Sequence, residues 1–127
     1  MARREEIRGR LATEWRDAAG RAPDAIVCPV FALPALRHGT ASSLLLAGVP
    51  CCLASLLDLP AGVVPVTRVH ADECRGRDDS RDPVLRAAAK TDEGSEGLPI
   101  GVQVIAVDGR EVTLLDVMRH LDGCLSA

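Results

Sequence analysis

The sequence predicts an α/β fold, a three-strand mixed or parallel sheet flanked by helices. Three observations carry this expectation. Apolar periodicity alternates along the chain in the order helix, strand, helix, strand, helix, strand, helix. The connections between the strand-like runs are long enough for parallel pairing. The least polar stretch, Leu44 to Val69, divides at Pro60 into a helical piece and a β-branched piece.

The first helix is expected over Glu5–Ala19, where Ile7, Leu11 and Trp15 recur at helical spacing and charges occupy the other side. Gly20 ends it and Pro23-Asp24 marks a turn. Asp24 to Val30 is a short buried strand closed by Pro29, and Phe31 to Ser43 is an irregular loop. Val49 to Leu59 is a buried helix with Pro50 in its first turn, where a missing N–H costs nothing. Pro60-Ala61-Gly62 breaks the chain before the strand Val63–Thr67, which is apolar enough to be covered on both faces.

Residues 70–83 form the most polar window and are expected to be a charged surface loop. Asp82-Pro83 opens a helix over Val84–Lys90, and Thr91 to Gly97 is a further loop. Leu98 to Val107 is the third strand. Asp108-Gly109 turns into a last amphipathic helix, Glu111–Cys124, with Leu114, Met118, Leu121 and Leu125 on one stripe and Leu115 beside it. Asp108 and Glu111 lie where the helix dipole favours negative charge.

Composition narrows the function classes. The chain has 127 residues, 47% hydrophobic and 26% charged, which is not a disordered composition. Aromatics make up only 2%, Trp15 and Phe31, so the core must be built from Leu, Val and Ala, as in a piece of a larger core. A net charge of −3 gives no reason to expect nucleic acid. The run Leu44–Leu57 falls short of the ~20 residues of a spanning helix, and Pro50 interrupts it. The five cysteines (28, 51, 52, 74 and 124) are odd in number and irregular in spacing, which argues against a disulfide framework. With no apolar signal core after Met1, a reducing, cytoplasmic setting is expected.

Cys51 and Cys52, neighbours on a helix, point about 100° apart and do not readily share a metal. His70 and Cys74 are separated by charge, and no spacing pairs a cysteine with a histidine as nucleophile and base. Gly97 to Gly101 lacks the lysine-serine ending of a phosphate loop and precedes a strand.

Three strings in register carry a resemblance. They are Asp24-Ala25-Ile26-Val27-Cys28-Pro29-Val30 followed by Pro34-Ala35, then Leu57-Asp58-Leu59-Pro60-Ala61-Gly62-Val63-Val64-Pro65-Val66-Thr67, and then Gly97-Leu98-Pro99-Ile100-Gly101-Val102-Gln103-Val104. Together they resemble the C-terminal part of an amidase-signature serine hydrolase, most similar to the fatty acid amide hydrolase branch, over roughly Ala22 to Gly123. The resemblance implies that residues 1–127 form a single partial domain of a large mixed sheet wrapped in helices. It implies amide hydrolysis through a Ser–cis-Ser–Lys triad, with no metal or organic cofactor.

The chain departs from the family in its chemistry. None of Ser42, Ser43, Ser55, Ser80, Ser95 and Ser126 sits in a Gly/Ser-rich signature, and the one lysine, Lys90, belongs to the charged C-terminal part. Gly94-Ser95-Glu96-Gly97 aligns with a loop instead. No catalytic residue is therefore carried over. Matched without gaps, the resemblance implies that Leu45, Gly48, Val49 and Cys52 line the wall of the acyl channel, where a dry apolar slot suits the substrate. Ordinary core packing is the alternative for the same four residues. Gly48 and Cys52 are small, which implies a wider channel at that point.

The expected partners are a missing N-terminal amidase part or a second copy of the chain, with an acyl amide as ligand. The alternative function is a stand-alone, non-catalytic domain that binds an apolar ligand or a partner chain. Members of the resembled branch can be membrane-associated, so peripheral association accompanies the cytoplasmic expectation.

Overall fold

The computed structural model describes residues 2–16, 20–21, 23–74 and 81–125. The elements are α1 (Ala2–Glu14), β1 (Ala25–Pro29), α2 (Val49–Leu57), β2 (Ala61–Arg68), α3 (Pro83–Asp92), β3 (Pro99–Ala106) and α4 (Glu111–Leu125). A kinked 3-10 helix, Ala41–Gly48, leads directly into α2. The end of the expected first helix, through Ala19, and the middle of the charged window, 75–80, lie outside the described residues.

The three strands make one sheet in the order β1-β3-β2. The α/β class holds, with four α-helices about a three-strand sheet among the described residues. Both ladders are antiparallel, Val27 opposite Val104 and Val63 opposite Gln103. Long connections permit a parallel crossover without demanding one. β1 and β2 run alike, but β3 lies between them and runs the other way.

The alternation of side chains along β3 divides the core in two. Val102, Val104 and Ala106 face α4, where Val64, Val104, Ala106 and Leu114 form a buried cluster joined by Ala25, Val117, Met118 and Leu121. Gln103 and Ile105 face the other way. Ile105, Ala54 and Trp15 form the second cluster, with Leu11, Ile26, Cys28 and Leu59 against it. Trp15 thus joins the core just beyond the end of α1, and its backbone N–H still donates to Leu11 O at 2.8 Å.

Gly62 belongs to β2 and not to the break before it. A Cβ there would run into the Met118 thioether, so α4 crosses the strand over bare backbone and a side chain at this position would force Met118 to shift. Asp58 ends α2 in the left-handed region (φ 57°), and its backbone N–H bonds back to Ala54 O and Ser55 O. Aspartate tolerates this conformation better than most residues, which explains an Asp at the turn from α2 into β2. Arg8 of α1 reaches Asp58 at 3.9 Å and also pairs with Asp108 in the β3–α4 turn. Asp82 accepts from the backbone N–H of Val84 at 2.7 Å and of Leu85 at 3.4 Å, capping α3 ahead of Pro83.

Two burial expectations fail. β2 is covered on one face only: Val64 is buried, while Val63 on the other side is half exposed. α2 is not sealed on most sides either. Ala54 and Leu57 face the sheet, but Leu53, Leu56 and Val49 are exposed, as are Leu45 and Leu46 just before it. Apolar composition anticipates burial, but nothing among the described residues lies over this side.

Candidate functional site

The segment Leu44–Leu57 and the loop after β1 build the site together. The four residues expected on a channel wall lie along one stretch. Leu45 (77% exposed) and Val49 (57% exposed) project outward, Cys52 is exposed, and Gly48 is buried. The Cys51 thiol donates to Gly48 O at 2.9 Å and the Cys52 thiol to the same oxygen at 3.4 Å. Neighbouring thiols that helical geometry should splay apart therefore converge on the carbonyl at the start of α2. Gln103, buried in the central strand, has its amide 3.5 Å from Pro50 O and 3.8 Å from Cys28 Sγ, and so ties the first turn of α2 to the sheet.

Gly48 is small for a reason visible in its surroundings. A Cβ on it would lie 3.0 Å from Phe31 Cε2. The room left by the missing side chain is taken by an aromatic ring, not by open channel. Phe31 also lines an apolar groove of about 430 Å³ between the loop and the open face of β2. Its walls include Val30, Leu33, Leu36, Val63 and Ile100, with Pro65 and Gly101 beneath. None of Leu45, Gly48, Val49 and Cys52 lines this groove, and Gly48 meets its wall through Phe31. The loop is held in place by Ala32 N–H, which donates to Ala47 O at 3.0 Å. The one available signal for Phe31 was its rarity as one of two aromatics; its pairing with Gly48 is a contact between distant segments that no local pattern encodes.

Polar chemistry is sparse here. Ser95 is buried, and its hydroxyl donates to Asp92 O at 2.7 Å with Cys74 Sγ at 3.6 Å. Ser42, Ser43 and Ser55 are exposed, Lys90 is exposed on α3, and Ser80 and Ser126 lie outside the described residues. α4 brings together a cysteine and a histidine: Cys124 Sγ lies 3.7 Å from His120 Nε2. Their separation of four on a helix was the available signal. Both are exposed, and the pair faces no cleft described above. All five cysteines are free. Among the described residues no three His, Cys, Asp or Glu side chains gather as a metal site, and no helix is long and apolar enough to cross a membrane.

Comparison with known proteins adds to this geometry. The Amidase family model matches residues 1–115. The chain is 38% identical over 102 residues to fatty acid amide hydrolase 1 of Caenorhabditis elegans, covering 78% of this chain and 18% of that protein. It is 38% identical over 77 residues to fatty-acid amide hydrolase 1 of Sus scrofa, covering 55% of this chain and 13% of that one. The chain thus spans less than a fifth of the length of these curated relatives.

Proposed function

The chain belongs to the amidase family, and we propose that it is the part of a fatty acid amide hydrolase-like enzyme that walls the acyl side of the substrate pocket. Leu45, Val49 and Cys52 form that wall with Gly48 behind the Phe31 ring, and amide cleavage belongs to a Ser–cis-Ser–Lys triad outside these residues. The observation that carries this reading is the uncovered apolar side of residues 45–56. Its leucines and Val49 are exposed beside an apolar groove, in a chain matching 18% of its relative.

Amide hydrolysis needs a nucleophile with a base beside it and donors at the developing oxyanion. Ser95 commits its hydroxyl to a backbone carbonyl, and among the described residues no serine hydroxyl bonds to Lys90. What the chain offers is shape and dryness: apolar surface that releases water when an acyl chain lies on it. By itself it is expected to be inactive.

The test is a chimera. The matched segment of the Caenorhabditis elegans relative is exchanged for the corresponding residues of this chain, and hydrolysis of a long-chain primary amide is measured. Turnover in the folded chimera supports the reading, and a folded chimera without turnover removes it. The second reading, a stand-alone domain binding an apolar ligand or a partner, has one observation in its favour: the chain closes two apolar clusters with its own elements. Hydrolysis of amides by the chimera selects the first reading over it.

A further inference from the structure

Two thiols that meet at one backbone oxygen can also meet at one bound atom. We propose that Cys51 and Cys52 form a dithiol site for an uncharged trivalent arsenical carrying one aryl group, a soft centre that is complete with two sulfurs. The site is made by this chain alone and does not depend on the amidase reading.

Three observations support it. The first is the direction of the two side chains. Residues three and four places after Gly48 both lie over its carbonyl, and helical side chains lean back toward the N-terminus. Both thiols accordingly donate to Gly48 O, at 2.9 Å from Cys51 Sγ and 3.4 Å from Cys52 Sγ. The ~100° between neighbouring residues on a helix is closed by the side-chain torsions, so the backbone need not unwind for the sulfurs to share a ligand. The turn beneath them is held, because the buried Gln103 amide lies 3.5 Å from Pro50 O. Secondly, both thiols are free, Cys52 exposed and Cys51 half-buried, so a ligand takes the first from solvent and closes on the second.

Thirdly, the surroundings select the ligand. Sulfur ligands favour soft centres. Among the described residues no group of three His, Cys, Asp or Glu side chains gathers, which leaves a tetrahedral zinc ion short of partners. An arsenical brings its own organic group as the third substituent and needs only two sulfurs. Residues 41–57 carry no charge, and Val49 and Leu56, one turn from Cys52 on either side, are exposed. They give an aryl group an apolar surface to lie on. When phenylarsine oxide binds, two S–H bonds and the As=O bond break and two As–S bonds form. Both thiol protons leave with the oxygen as one water, and arsenic stays trivalent, so no oxidant or reductant takes part.

The test titrates phenylarsine oxide into the reduced 127-residue chain. The adduct is weighed by mass spectrometry, and the protected cysteines are located by differential alkylation. One arsenical per chain is expected, protecting Cys51 and Cys52 but not Cys28, Cys74 or Cys124. 1,2-Ethanedithiol strips it, and a monothiol at the same concentration does not. Cys51→Ser and Cys52→Ser each weaken binding by about a hundredfold or more, because the second sulfur no longer acts at high effective concentration. Helical circular dichroism is unchanged by binding, and the folded chain binds at least as tightly as the chain unfolded in urea. That last comparison separates thiols brought together by the folded helix from mere neighbours in sequence.

Protection of a single cysteine, or of any other pair, overturns the proposal. So does a folded serine variant that binds as the parent does. Loss of helical signal on binding, or tighter binding in urea, overturns it as well, since the helix would then hold the thiols apart. Should a serine variant fail to fold, the alkylation map and the urea comparison on the parent chain decide the matter.

Discussion

On one face of the sheet, α4 lays Leu114, Val117, Met118 and Leu121 over Val64, Val104 and Ala106, and these side chains find their apolar neighbours within the chain. On the other face, α2 presses Ala54 and Leu57 inward while its outer side carries Leu53 and Leu56 into solvent, beside a groove lined by apolar residues and glycine. The two regions differ in composition: residues 41–57 carry no charge, whereas α4 carries Glu111, Asp116, Arg119 and Asp122. They differ also in whether an opposing surface is present among the described residues. The α4 face closes over the sheet with the chain's own side chains, although Val112, Leu115 and Leu125 are exposed on α4, whereas the α2 face has the composition of an interior and the exposure of a surface. Apolar patches of this kind mark interaction sites or ligand grooves more often than idle surface.

Adjacent residues on α2 give the largest contrast. Leu57→Ala, at 2% exposed, is expected to cost about 2–5 kcal/mol. Leu56→Ala, at 61% exposed, should change the stability of the chain alone by less than about 0.5 kcal/mol. Urea denaturation of both variants checks this, and equal losses would erase the distinction between the two sides of the helix.

Gly62→Val comes next. Its side chain would enter the space of Met118, and overpacking of this kind costs about 1–3 kcal/mol. Gly62→Val combined with Met118→Ala should recover part of the loss, because the clash is with one flexible side chain. At the end of α2, Asp58→Ala puts a less tolerant residue at φ 57°, with an expected loss of about 1–2 kcal/mol. Asp58→Gly should lose less, since glycine accepts that backbone and only the carboxylate is removed. The smallest effect is expected at the surface tie between α1 and the β3–α4 turn. Arg8→Ala should lower stability by no more than about 1 kcal/mol and less at high salt.

The closed face was more legible in the sequence than the open one, for a physical reason. The stripe Leu114, Met118 and Leu121 and the strand Leu98–Val107 are local periodicities, and local periodicity is what a sequence displays directly. Pro50 in the first turn of α2 and Asp82-Pro83 at the start of α3 are local signals as well, and both elements begin where those residues place them. Strand direction is not local: β3 runs against both neighbours, and the length of a connection does not set its sense. Coverage is not local either. The Val63–Thr67 string is apolar enough for a buried strand, yet Val63 is half exposed because its opposing layer is not among the described residues. The packing of Phe31 against Gly48 is not local either, because it joins two segments apart in the sequence.

Hydrogen exchange at the α2 backbone tests the contrast between the faces most directly. Amides of residues 45–57 are compared in the chain alone and in the folded chimera, with those of β3 and α4 as the internal reference. The account expects α2 to exchange readily in the chain alone and to become protected in the chimera, while β3 and α4 change little. Protection of α2 that is the same in both settings would contradict it, because the apolar side of that helix would then have no covering layer to gain.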